Sequence, residues 1–174
     1  MSKCVMLKKI LLTFFIMTCF TETFCHASII VPMTLVDTGG NGKTLGTIKL
    51  DDTLYGLLLT PQLHDLPTGT HGFHVHTLPF CNNYGIAAGG HFDPERTFQH
   101  RGPYRGSGHL GDLPVLIVNV RGHATLPVLA PRLKLSQIYG RSLIIFAGSD
   151  NYSEKPLKEH ASKTRIACGI IPYH

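Results

Sequence analysis

The chain has 174 residues, the length of one domain with enough chain to bury a hydrophobic core. It carries 16 lysines and arginines against 11 acidic residues, for a formal net charge of +5 with histidine neutral. A basic excess this modest does not indicate a nucleic-acid partner.

Residues 1–27 are predicted to be a secretory signal peptide. Three lysines precede an apolar run, Ile10–Phe20, that is too short to span a bilayer, and the small residue Ala27 marks a cleavage point. A retained membrane anchor would need a longer apolar run. A lipoprotein linkage at Cys19 or Cys25 would need small neighbouring residues that the sequence lacks there.

Cleavage after residue 27 leaves two of the five cysteines, Cys81 and Cys168, and a net charge of about +3. In an oxidising compartment a lone pair of cysteines is most simply a disulfide. The mature domain is therefore expected to comprise residues 28–174, to be periplasmic or secreted, and not to associate with a membrane.

From residue 28 onward the sequence predicts an all-β domain. No long segment has helical periodicity, and short apolar or alternating runs are separated by turn residues such as DTGGNG and PTGTHG. The eight runs are 29–36, 46–50, 54–60, 72–76, 113–120, 124–130, 141–147 and 165–171. Such a series favours an antiparallel sandwich or barrel. Segments 78–112 and 148–164 are too long for hairpin turns and are expected to be functional loops.

The fourth run contains paired histidines in the sequence THGFHVHT. Side chains alternate faces along a strand, so Phe73 and Val75 can enter the core while His74 and His76 emerge together on the other face. Two imidazoles at this spacing, about 6 to 7 Å apart, can converge on one transition-metal ion.

The first long loop adds His91, His100, His109 and Asp112 within 22 residues. No catalytic serine or thiol accompanies them. Three nitrogens and one carboxylate suit a tetrahedral zinc site.

The motifs GFHVH, AGGH, QH, GHLGD and RIACGII, in this order and spacing, strongly resemble the copper-zinc superoxide dismutase family in its bacterial, exported form. The resemblance runs from about Leu45 to Ile171. It implies an eight-stranded Greek-key β-barrel or sandwich of immunoglobulin-like class, an architecture of which this family is a standard example. It also implies that superoxide is converted to oxygen and hydrogen peroxide with copper and zinc as cofactors, and it leaves open a homodimer.

The resemblance also implies a role for each matching residue. Copper would be held by His74, His76 and His91, and zinc by His91, His100, His109 and Asp112. His91 would bridge the two metals and take part in catalysis, together with Arg165, which would hold the superoxide anion. Asp150 would link a copper ligand to a zinc ligand, His71 would be structural, and Cys81 and Cys168 would form the family disulfide.

One position departs from the family pattern. The fourth copper ligand of the family is a histidine four residues before the carboxylate matched by Asp150, and this chain has Phe146 there. Phenylalanine cannot ligate a metal, and three nitrogens suit Cu(I), whereas Cu(II) prefers a square-planar or tetragonal arrangement. We therefore expect weaker Cu(II) binding and a raised potential, with zinc binding unaffected.

Two other histidines are candidate substitutes for the missing copper ligand. His160 lies in the second long loop, although a solvated loop histidine is the simpler interpretation. His26 would chelate copper at the amino terminus if cleavage followed Cys25. Lysines in the second long loop would steer an anion toward the site or merely form a soluble surface. Two functions thus remain: an exported dismutase, impaired by Phe146, or a zinc-stabilised homologue that binds and handles copper without dismutation.

Overall fold

The computed structural model describes residues 28–153 and 164–173, which form an almost entirely β-structured domain. The strands are β1 (Ser28–Leu35), β2 (Thr44–Thr53), β3 (Gly56–Leu63), β4 (Gly69–His71), β5 (Phe73–His76), β6 (Leu116–Val118), β7 (Val128–Ala130), β8 (Ser142–Phe146) and β9 (Arg165–Ile170). Two 3₁₀ turns lie at Ile86–Ala88 and Leu135–Gln137. Each of the eight predicted runs overlaps one of these strands, so the all-β prediction is confirmed. The additional strand, β4, is separated from β5 by Gly72 alone.

Seven strands form one antiparallel sheet in the order β5-β8-β9-β1-β2-β3-β7, and β4 pairs with β6. The last strand, β9, lies between β8 and the first strand, β1, with Cys168 opposite Thr34. Strands β5 and β8 are antiparallel, so the chain leaves them at opposite ends, and a later part of the loop after β5 returns to the loop after β8, where His100 contacts Asp150. Between β5 and β6 the chain runs through about forty residues that contain only one 3₁₀ turn, as expected for the first functional loop.

Alternating side chains of the strands build the main core. In β3, Leu57, Leu59 and Leu63 are buried at alternate positions, and in β5, where all four residues are buried, Phe73 and Val75 belong to the main core. Fully burying a side chain of this size contributes about 1.5–3 kcal/mol. The opposite face of β5 carries His74 and His76, as the sequence predicted.

Strand β8 is buried on both faces. Leu143 and Ile145 enter the main core. Ile144 packs on the other face in a smaller cluster with Cys81 and Cys168, and Phe146 lies against this cluster. Because side chains alternate, this face of β8 is also the one that borders the paired histidines of β5.

Within the described residues, no helix is long and apolar enough to cross a membrane. The predicted signal peptide and His160 lie outside the described residues. The domain boundary at residue 28 remains a prediction.

Candidate metal centre

Strand β5 assembles the site because both of its edges are occupied. One edge pairs with β8 over all four residues. The other edge runs beside two segments of the long loop, where His74 lies opposite Asp112 and His76 lies opposite His91. Residues far apart in sequence are thereby fixed around the two β5 histidines.

One oxygen of Asp112 is surrounded by histidine nitrogens. Its Oδ1 atom lies 3.0 Å from Nδ1 of His91, 3.0 Å from Nδ1 of His100 and 3.4 Å from Nδ1 of His109. The ligand atoms of all four residues lie within 4.8 Å of one another. The structure therefore brings together the complete set that the sequence assigned to zinc.

The other oxygen of Asp112 is held by the backbone. Oδ2 accepts hydrogen bonds from the N–H groups of Arg101, at 3.2 Å, and Gly102, at 3.1 Å. Burial disfavours the charge on Asp112, but hydrogen bonds with His100 and His91 outweigh it and hold the pKa of this carboxyl well below its usual range. Asp112 is thus an ionised, almost fully buried carboxylate.

The geometry of these atoms fits a zinc ion. Four ligands placed about 2.0–2.1 Å from a tetrahedral zinc lie about 3.3 Å from one another, close to the separations around Asp112 Oδ1. Nδ1 of His109 is buried and makes no hydrogen bond in the structure. A buried lone pair aimed at a carboxylate is costly unless a proton or a metal lies between them. We therefore find that these four residues fit zinc.

Asp150 connects this cluster to strand β5. Its Oδ1 lies 2.8 Å from Nε2 of His100, and its Oδ2 lies 3.1 Å from Nε2 of His74. Burial lowers the pKa of His100, but hydrogen bonds to Asp112 and Asp150 outweigh burial and raise it to about 10. When a histidine binds a metal through one ring nitrogen, a carboxylate that accepts a hydrogen bond from the other ring nitrogen fixes the orientation of the imidazole ring.

Each of the two β5 histidines has one buried nitrogen without a hydrogen bond, and that of His74, Nδ1, lies 3.7 Å from Oδ1 of Asp112. Nδ1 of His74 and Nε2 of His76 are buried without a hydrogen-bond partner, while Nδ1 of His76 donates to the carbonyl oxygen of Gly89 at 2.8 Å. Burial first, and then the nearby His91, lower the pKa of His74 to about 4 and that of His76 to about 2. Both rings are neutral at pH 7, which is the form that binds copper.

The residues expected to hold copper, here called the copper half (His74, His76 and His91), are less tightly gathered than those expected to hold zinc, the zinc half (His91, His100, His109 and Asp112). The rings of His74 and His91 stack with centroids 4.0 Å apart, and the centroid of His76 lies 5.0 Å from that of His91. Besides the zinc set, the described residues contain one other group whose ligand atoms lie within 4.8 Å, namely His74, His100 and Asp150. His76 belongs to neither group. The three nitrogens fit copper in chemical type, with a wider spacing.

The side chain of Phe146 lies among these histidines. Its ring centroid is 5.4 Å from that of His74, 5.8 Å from that of His76 and 6.3 Å from that of His91. Its N–H donates to the carbonyl oxygen of Gly72 at 2.8 Å, which continues the pairing of β5 with β8. The register therefore directs an apolar ring, with no ligand atom, toward the copper half of the site.

Arg165 begins β9 beside Phe146. Its guanidinium carbon lies 5.9 Å from the centre of the Phe146 ring. The guanidinium donates to the carbonyl oxygens of Gly85 and Gly89, the latter at 2.8 Å. Gly89 thus accepts from both Arg165 and His76. Arg165 is half-buried at the edge of a cleft of about 910 Å³ that also contains the β5 histidines.

The predicted disulfide is present between Cys81 and Cys168, with their Cα atoms 5.6 Å apart. It ties the loop that contains Gly85 and Gly89 to strand β9. Because Arg165 lies on the same strand, the loop is attached to β9 both by the disulfide and by the hydrogen bonds of the guanidinium group.

His71 is buried beside the site and contacts two carbonyl oxygens. Its Nδ1 lies 2.7 Å from the oxygen of Phe146 and its Nε2 lies 2.8 Å from the oxygen of Pro67. These contacts connect β4 to the end of β8. They agree with a structural role rather than a ligand role.

Sequence reasoning missed the groups that hold the predicted ligands in place. They are the carbonyl of Gly89, the N–H groups of Arg101 and Gly102, and Tyr152, whose N–H donates to Oδ1 of Asp150 at 2.8 Å. The three backbone groups leave no signature in side-chain type. Tyr152 lies two residues after Asp150, and no motif marked it.

Comparison with known proteins identifies the family. Residues 44–171 match the family model described as copper/zinc superoxide dismutase. The chain is 45% identical over 152 residues to a superoxide dismutase [Cu-Zn] of Haemophilus ducreyi, covering 82% of this chain and 76% of that one. It is 48% identical over 134 residues to a superoxide dismutase [Cu-Zn] of Legionella pneumophila, covering 77% of this chain and 82% of that one.

A solved structure shows the same fold. The Cu/Zn superoxide dismutase from Brucella abortus superimposes with a TM-score of 0.77 at 41% identity, over 83% of this chain and 99% of that chain. The chain therefore belongs to the copper/zinc superoxide dismutase family.

Proposed function

We propose that this chain is an exported superoxide dismutase, with zinc held by His91, His100, His109 and Asp112, and copper by His74, His76 and His91. The observation that carries the proposal is the convergence of three histidine nitrogens on one oxygen of Asp112, next to two neutral histidines with unpartnered nitrogens. The family membership of the chain supports the same activity.

His91 is the residue that would join the two metals. Its Nδ1 faces Asp112 on the zinc side, and its ring contacts both β5 histidines on the other side. Nε2 is therefore the atom available to the copper half. This nitrogen would also be able to hold a proton and donate it to the product when it is not a ligand.

When bound, copper supplies one-electron exchange, by which one superoxide becomes oxygen and a second, with two protons, becomes hydrogen peroxide. The chain contributes the positive charge of Arg165, which attracts the anion to the cleft. Burial of His74 and His76 keeps their nitrogens neutral and shields them from water.

A second candidate function is supported by Phe146. A copper half with three histidines and an adjoining phenyl ring favours Cu(I) over Cu(II). A homologue of this kind would be stabilised by zinc and would handle copper without turning over superoxide. The curated relatives, which are named as superoxide dismutases, favour the enzyme.

Measuring the metal content and the superoxide disproportionation activity of the same samples distinguishes the two functions. The protein would be purified from the periplasm of a bacterial host, loaded with zinc and copper, and compared with His76→Ala and with the surface variant His64→Ala. We expect copper-dependent disproportionation of superoxide in the natural chain and in His64→Ala. His76→Ala should lose it while its zinc content is unchanged. A natural chain that binds zinc but shows no copper-dependent activity would contradict the proposal and favour the copper-handling function.

Export is part of the same proposal. It is supported by the pattern of residues 1–27 and by the disulfide, which persists in oxidising compartments. The mass of the exported protein tests it, with a mature chain beginning at Ser28 as the expected result. A full-length chain retained in the cytoplasm would contradict it.

A further inference from the structure

The carboxylate of Asp150 contacts both halves of the metal site, yet it lies on an irregular segment four residues beyond the end of β8. The start of this segment is fixed by the N–H of Gly72, which donates to the carbonyl oxygen of Gly148 at 2.7 Å. Tyr152 anchors the segment beyond Asp150. The N–H of Tyr152 donates to Oδ1 of Asp150 at 2.8 Å, the same oxygen that faces His100. The position of the carboxylate thus depends on where the backbone of Tyr152 is held.

The side chain of Tyr152 is anchored at two points. Its hydroxyl oxygen accepts a hydrogen bond from the N–H of Val115 at 2.9 Å. Its ring covers Gly102, where a Cβ atom would lie only 2.6 Å from Cγ of Tyr152. The φ angle of Tyr152 is +53°, which is uncommon for a bulky residue and persists only where surrounding contacts hold it.

The ring also reaches the zinc half of the site. Gly102, the residue beneath the ring, donates its N–H to Oδ2 of Asp112 at 3.1 Å. Tyr152 therefore contacts Asp150 through its backbone N–H. Its ring contacts Gly102, which donates the hydrogen bond to Asp112. One residue is thus linked to both carboxylates of the site, directly to Asp150 and through Gly102 to Asp112.

We propose that Tyr152 is a positioning residue for the metal centre. Its ring and hydroxyl fix the segment after β8 on the long loop, and this keeps the carboxylate of Asp150 on His74 and His100. The inference rests on the proposed zinc role of His100. Groups that orient ligating histidines typically change metal affinity by about 10- to 100-fold when they are removed.

The test measures the zinc dissociation constant by competition with a chelator, and the visible spectrum of Co²⁺ bound in place of zinc. The variants are Tyr152→Ala, which removes ring and hydroxyl, and Tyr152→Phe, which removes only the hydroxyl. Tyr55→Ala is the matched control, because Tyr55 is an exposed tyrosine in the turn between β2 and β3. We expect Tyr152→Ala to weaken zinc binding by about 10- to 100-fold. Tyr152→Phe should weaken it less, and the control should leave it unchanged.

A double-mutant cycle with Asp150→Asn shows whether Tyr152 acts through Asp150. If it does, Tyr152→Ala should have less than half of its effect on zinc affinity when Asp150 is already replaced. The proposal is overturned if Tyr152→Ala lowers only the melting temperature and leaves zinc affinity and the Co²⁺ spectrum unchanged. It is also overturned if the full effect persists in the Asp150→Asn background. A natural chain that binds no zinc would overturn the proposed function as well.

Discussion

The ring of Phe146 lies beside the ring of His76, with centroids 5.8 Å apart and planes inclined by 29°. Both side chains emerge from neighbouring strands, β8 and β5, onto the same face of the sheet. The apolar ring therefore occupies the side of the copper half where another ligand would approach. Phe146 stands where the family has a fourth copper-ligating histidine, so this contact shows what replaces that ligand in the folded chain.

Replacing Phe146 with histidine should strengthen Cu(II) binding by about tenfold or more, because a fourth nitrogen allows the tetragonal arrangement that Cu(II) prefers. Cu(I) affinity should change much less. Competition with chelators selective for each oxidation state measures both constants. Phe146→Leu is the control, since it keeps an apolar side chain without a ligand atom. Equal gains for Phe146→His and Phe146→Leu would show that ligation is not the cause.

Replacing Arg165 with alanine should lower the rate at low superoxide concentration by about 10- to 1000-fold, because the positive charge raises the local concentration of the anion. Zinc and copper content should stay the same. Arg165→Lys should retain part of the rate, and added salt should slow the natural protein more than Arg165→Ala. An identical salt dependence in the two proteins would argue against steering by this charge.

The disulfide should stabilise the folded domain substantially. Replacing both Cys81 and Cys168 with serine is expected to lower the free energy of unfolding by about 2–5 kcal/mol, since the two cysteines lie 87 positions apart and the closed loop is long. Urea denaturation of the metal-free proteins measures the difference. A loss well below 1 kcal/mol would show that other contacts hold the loop against β9.

The metal-free protein should be most stable near pH 6.5. The pKa of His74 is lowered to about 4 and that of His76 to about 2, mainly by burial. Below about pH 6.5 the unfolded chain therefore binds more protons than the folded chain, and stability falls as the pH decreases. The pKa of His100 is raised to about 10, since its bonds to Asp112 and Asp150 outweigh burial. The contribution of protonated His100 to the free energy of unfolding is complete below about pH 6.5 and is lost as the pH rises toward 10.

Urea midpoints at several pH values, in the presence of a chelator, measure both sides of this maximum. In His100→Asn the decline on the alkaline side should disappear while the decline on the acid side remains. Stability that rises steadily from neutral pH to about pH 10 in the natural chain would contradict the assignment of His100.

Much of the fold could be predicted from the sequence, because successive side chains of a strand point to opposite faces and leave an alternating apolar pattern. Each of the eight apolar runs overlaps a strand, and Phe73 and Val75 enter the main core, as their alternation with His74 and His76 predicted, although the two histidines are buried as well. The break at Gly72, which divides β4 from β5, was not predicted. The pairing partners, including the contacts of β5 with His91 and Asp112, depend on distant parts of the chain and left no local signal.

The candidate ligands were predictable because their chemistry resides in side-chain type and spacing. Phe146 was placed in the site by the family resemblance, because it lies four residues before Asp150, where the family has a histidine. The supporting groups were not predictable, because every residue has an N–H and a carbonyl and only the fold selects those of Gly89, Arg101 and Gly102. Tyr152 belongs with them, since its contacts with Gly102 and Val115 arise only in the folded domain.

The most direct test is the rate of superoxide disproportionation by the natural chain and by Phe146→His, measured side by side on protein loaded with zinc and copper, with the copper content of each determined. We expect the natural chain to be active above its metal-free form and Phe146→His to be faster, because three histidines suffice to hold copper and a fourth improves the oxidised state. If only Phe146→His retains copper and turns over, the natural chain is not a dismutase, and the copper-handling function takes its place.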